Sequence, residues 1–64
     1  MNYWQYKDGT LIIGEDDWLV EKRSTSNYYE LYELTERKKP IFVEAYISLD
    51  IAINAGQNLK DRIR

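Results

Sequence analysis

Chemistry in this chain has few places to reside. There is no histidine and no cysteine in 64 residues, so neither the usual general base nor a thiolate is present, and the commonest metal ligands are missing. Ser26 and Ser48 are hydroxyl nucleophiles without a partner base to activate them. Glu15-Asp16-Asp17 is the densest acidic run. It lacks the spaced ligands and the bidentate glutamate of a calcium loop, so it reads as a solvated acidic turn. Arg37-Lys38-Lys39 is the densest basic run and could touch phosphates, although a broader basic stripe is the usual footprint of nucleic-acid binding. Carboxylates are available for acid–base pairs, but nothing suggests a cleft to hold a substrate. The chain is expected not to be an enzyme and to carry no metal and no cofactor.

Without reactive groups, function falls to a surface. The formal charge of −2 conceals a division. Residues 1–36 hold three basic against eight acidic side chains, a balance of −5, and residues 37–64 hold six against three, a balance of +3. Such segregation can orient a partner or pair two copies.

The elements that would build the surface follow from alternation and turn residues. Asp8-Gly9 suits a two-residue type I′ turn, which would set Tyr6 opposite Leu11 and Trp4 opposite Ile13. Gly14-Glu15-Asp16-Asp17 reads as the next turn, with Ile13 opposite Trp18 and Leu11 opposite Val20. Ser24-Thr25-Ser26-Asn27 reverses the chain again, and Thr35-Glu36-Arg37-Lys38-Lys39 makes the last reversal before Pro40, tolerated at a strand start. Ser48 reads as a helix N-cap with Asp50 near the positive helix end. Leu49, Ala52, Ile53, Leu59 and Ile63 fall on one helical stripe. Gly56 fits either a C-cap or a point of close approach inside a longer helix, and the basic cluster at residues 60–64 favours the longer one.

The fold class expected is α+β, one domain over residues 1–64. It is an antiparallel β-meander of four or five strands with one C-terminal helix on a single face. In this register the helix side of the sheet collects Trp4, Tyr6, Leu11, Ile13, Trp18, Val20, Tyr29, Leu31, Ile41, Val43 and Ala45. A helix ~10 Å across covers only two or three strands spaced ~4.8 Å apart, so part of the N-terminal hairpin should stand uncovered.

Three rows are then expected on the open face: Leu19, Tyr32 and Phe42; Glu21, Glu30 and Glu44; Arg23, Tyr28 and Tyr46. Aromatic and β-branched residues favour strands for structural reasons alone. Like charges directly opposite destabilise a sheet, however, and three glutamates in a row are a costly choice for a purely structural face. Leu19, Glu21, Tyr28, Glu30, Tyr32, Phe42, Glu44 and Tyr46 are the expected partner-binding residues. Tyr3, Trp4 and Tyr6 are the expected contacts of a homodimer or higher homo-oligomer, because a marginal domain gains stability by association.

In architecture, residues 18–55 resemble the three-strand-plus-helix DNA-binding domains at the N-termini of many tyrosine recombinases. That resemblance is one of arrangement only and assigns no family. Those domains present basic and polar side chains to DNA, whereas Glu21, Glu30 and Glu44 would repel phosphates.

The reading is of a small non-enzymatic protein-binding regulator or inhibitor, of the kind encoded by phages and mobile elements. Its partner is a larger protein with a basic groove, such as one that holds nucleic acid. The alternative is a nucleic-acid-binding regulator using Arg37, Lys38, Lys39, Lys60, Arg62 and Arg64. No segment has the length or apolarity of a membrane span, and the N-terminus lacks the pattern of a secretory signal, so a cytoplasmic location is expected.

Overall fold

The structure, a computed structural model, describes residues 1–37 and 39–63, with side chains to Leu59. Five strands precede one helix: β1 (Asn2–Gln5), β2 (Leu11–Gly14), β3 (Trp18–Lys22), β4 (Tyr29–Leu34), β5 (Pro40–Tyr46) and α1 (Leu49–Ile63). The strands lie side by side in chain order, all antiparallel. The helix packs on β3, β4 and β5. This is the expected α+β meander with the helix on one face.

The core is small and well defined. Trp18, Val20 and Leu31 are fully buried beneath Ala52 and Leu59 of the helix, with Tyr29, Val43, Tyr46, Leu49, Ile53 and Ala55 packed around them. Alternation along β3 and β4 explains the first three, since every second residue of a strand points to the same side. The helix continues through Gly56 as one piece. Ser48 precedes it, and its carbonyl accepts the first helical bond from the Ala52 amide at 3.1 Å. Its hydroxyl makes no hydrogen bond among the described residues, so the expected side-chain cap is not formed.

The first hairpin departs from expectation by one residue. The Gly9 amide donates to the Tyr6 carbonyl at 3.1 Å, and the Tyr6 amide donates to Thr10 at 2.8 Å. Gly9 takes the left-handed region, at φ 96°, and the Asp8 carboxylate accepts from the Thr10 amide at 2.9 Å. These are the marks of a three-residue loop closed by a bulge glycine, not a two-residue type I′ turn. The extra loop residue moves β1 by one place. Tyr3 faces Ile13, Trp4 faces Ile12 and Gln5 faces Leu11. A slip of one exchanges the faces: Trp4 leaves the helix side for the open side, and Tyr3 takes its place.

The second hairpin differs by two residues and so keeps its faces. Ile13 pairs with Val20 and Leu11 with Lys22, because the loop is Asp16-Asp17 alone, closed by the Glu15 amide on the Trp18 carbonyl at 2.9 Å. Gly14 belongs to the strand. A Cβ there would stand 2.5 Å from the Trp18 carbonyl oxygen, which only glycine avoids.

Between β3 and β4 the register is the expected one: Leu19 with Tyr32, Val20 with Leu31, Glu21 with Glu30. β5 starts as expected, Phe42 opposite Tyr32, and then slips between Tyr32 and Leu31. Val43 is the additional residue, a β-bulge. Beyond it Glu44 lies opposite Leu31, Ala45 opposite Glu30 and Tyr46 opposite Tyr29. Tyr46 therefore packs on the core instead of joining the open face, and Ala45 turns outward. Ile41 lies on the helix side by alternation but is 50% exposed, because the helix does not reach it.

Candidate protein-binding face

The sheet face opposite α1 is covered by no element among the described residues. Its first row runs across β3, β4 and β5 as Leu19, Tyr32 and Phe42, as expected. The Tyr32 and Phe42 rings meet edge to face, centroids 5.8 Å apart at 73°, the arrangement that aromatic quadrupoles favour. Leu19 and Tyr32 are half-buried, and Phe42, on the edge strand, is 55% exposed.

The second row is longer and less acidic than expected. It reads Trp4, Ile12, Glu21, Glu30 and Ala45 across all five strands. The bulge sets Glu44 apart from Glu21 and Glu30. It stays exposed, but two glutamates, not three, stand directly opposite. Each has a local partner: Arg23 Nε lies 3.7 Å from Glu21 Oε2, and the Tyr32 hydroxyl donates to Glu30 Oε1 at 3.2 Å. These contacts moderate the repulsion between the two carboxylates.

Tyr32 reports the electrostatics of this face. Partial burial raises its phenol above the ordinary 10.0, and the bond to Glu30 and the negative charges of Glu30 and Glu21 push the same way, with Arg23 opposing. Asp8, at the turn of the first hairpin, shifts oppositely. The Thr10 hydrogen bonds hold its carboxyl below the usual carboxylate value.

Of the expected binding residues, Leu19, Glu21, Glu30, Tyr32 and Phe42 converge on one surface. Tyr28 is exposed just before β4, with its amide on Ser26 Oγ at 3.0 Å. Glu44 sits at the bulge, and Tyr46 is on the other side. Trp4, Ile12 and Ala45 join this face without being among the residues expected there. Trp4 reaches this face through the three-residue loop, which Asp8-Gly9 by itself does not distinguish from a two-residue one. Ala45 had no signal, since alternation carries no mark of a bulge.

Tyr3, Trp4 and Tyr6 are all more than half exposed, outside the reach of the helix. Arg37 and Lys39 are exposed in the β4–β5 turn. Lys38 and Arg64 lie outside the described residues, as do the side chains of Lys60 and Arg62. Among the described residues no helix is long and apolar enough to cross a membrane. No family model, curated protein or solved structure matches the chain.

Proposed function

We propose that the protein is a small non-enzymatic regulator that binds a larger, basic-surfaced protein through the open face of its sheet. The supporting observation is the row Leu19, Tyr32 and Phe42 lying directly beside Glu21 and Glu30 on a face that none of the described elements covers. Partly exposed aromatics bordered by charge are the usual composition of a protein interface. The aromatic row supplies desolvation energy, and the carboxylates supply steering and register. Inhibition of the partner is the simplest outcome, because a basic groove occupied by this face is closed to acidic ligands.

The experiment is affinity capture with the wild-type chain, followed by direct binding of the captured protein to two variants. Glu21→Lys with Glu30→Lys reverses the charge, and Phe42→Ala removes an aromatic anchor. Both should lose the partner while circular dichroism stays unchanged. A partner held equally well by both variants places the site elsewhere. Nucleic-acid binding is told apart in the same series, since the charge reversal would then strengthen binding to a DNA or RNA probe.

A further inference from the structure

The two edges of the sheet are unlike. β5 carries the devices that discourage strand addition: Pro40 at its start, the bulge at Val43 and exposed Glu44. Proline, bulges and charge are the common protections of an edge. β1 has none of them. It reads Asn-Tyr-Trp-Gln, uncharged, with all four residues exposed.

The hydrogen-bonding groups left free on β1 can be deduced. Antiparallel neighbours alternate between bonded and non-bonded pairs. Tyr6 bonds Thr10 at the hairpin end, so Trp4 with Ile12 and Asn2 with Gly14 are the bonded pairs further along. The amides and carbonyls of Tyr3 and Gln5 therefore point away from β2, into open space.

We propose that β1 pairs antiparallel with β1 of a second copy across a twofold axis at Trp4, joining two five-stranded sheets into one of ten strands. In that register Tyr3 bonds Gln5 of the other copy, and Gln5 bonds its Tyr3, so every free main-chain group of Tyr3 and Gln5 is used. A register centred on Tyr3 would instead pair Gln5 with Met1, outside the strand. The two Trp4 indoles meet in a non-bonded pair, the closer of the two kinds, and Asn2 lies across from Tyr6. The second copy is the occupant that fits. The edge is uncharged, so like meets like without repulsion, and its free groups are self-complementary about one axis. Head-to-tail pairing of β1 with β5 would give an open filament, and the protections on β5 oppose it. The inference rests on the edge and is independent of the binding role of the acidic–aromatic face.

Sedimentation of the full chain across the micromolar range tests it. The wild type should run at twice the 7.7 kDa chain mass. Tyr3→Pro should give monomer with an unchanged circular dichroism spectrum, since the amide it removes bonds nothing within the chain and proline is tolerated on an edge. Trp4→Lys, at an exposed position, should do the same by setting two ammonium groups face to face. It also supplies the answer should the proline variant fail to fold. Glu44→Lys, on the other edge, should remain dimeric. A wild-type monomer throughout, an open-ended assembly, or a dimer that survives Tyr3→Pro or Trp4→Lys in folded form overturns the proposal.

Discussion

Gly56 lies flat against the indole of Trp18: a Cβ added to it would stand 2.6 Å from both Cδ2 and Cε3 of the ring. The contact sets how near α1 comes to the sheet, because Trp18 is fully buried and has nowhere to move. Gly56→Ala should therefore destabilise the fold by about 1–3 kcal/mol, the usual effect of overpacking a filled core. The sign is informative. At a helix position with open space the same change stabilises by roughly 0.5–1 kcal/mol. Urea denaturation midpoints decide between the two.

The centre of the core should be equally intolerant of loss. Leu31→Ala removes a fully buried side chain from beneath the helix and should cost about 2–5 kcal/mol. For a chain of 64 residues that is a large share of the total. Thermal melts should show either a steep fall in midpoint or no cooperative transition. Ser48→Ala, by contrast, should leave the midpoint almost unchanged, because the hydroxyl caps nothing.

Alkaline pH should weaken the fold through Tyr32. Its phenol is raised above 10.0 in the folded state, so the stability tied to its proton is fully present below the unfolded value. It is lost as pH rises through the folded value, the unfolded chain releasing the proton first. Tyr32→Phe removes this component. Denaturation midpoints followed from neutral pH to beyond the tyrosine range should fall less steeply in the variant. Equal slopes would mean that burial and the neighbouring Glu30 do not hold the phenol in its neutral form.

Glu21 and Glu30 stand opposite each other at the cost of some repulsion. Glu30→Gln relieves it and should stabilise the isolated chain by a few tenths to about 1 kcal/mol. The same change should slow association with a basic partner, and the wild-type association rate should fall with salt as charges are screened over ~8–10 Å. Stopped-flow rates at several ionic strengths read both effects. A salt-independent association rate would remove the carboxylates from recognition.

The parts of this fold legible in the sequence are those where two signals agree. Across β3 and β4, Trp18 and Val20 on one strand and Tyr29 and Leu31 on the other fall at alternate positions, and Ser24 to Asn27 turns the chain between them, so the pairing of Val20 with Leu31 follows. At the first hairpin only one signal was available, and Asp-Gly serves a two-residue and a three-residue loop alike. The choice is made by the bond from the Thr10 amide to Asp8, a matter of 2.9 Å, and it decides which way Trp4 faces. In β5, Val43 and Tyr46 both pack on the core although they are three apart, a spacing that strict alternation forbids and a bulge permits. Gly56 by itself suits two helix lengths, and it is the Trp18 ring against it that accounts for a glycine inside the longer helix.

The strands stand in space in the order in which they leave the ribosome. Each new strand finds its neighbour already made, so the sheet can assemble by successive short loop closures, the topology that folds fastest among β structures. Its apolar side closes later. Trp18, Val20 and Leu31 are covered by Ala52 and Leu59, which emerge only after all five strands. During synthesis the strands are thus made before the helix that covers their apolar side. That interval, more than the finished molecule, is when it is most open to aggregation and to capture by chaperones.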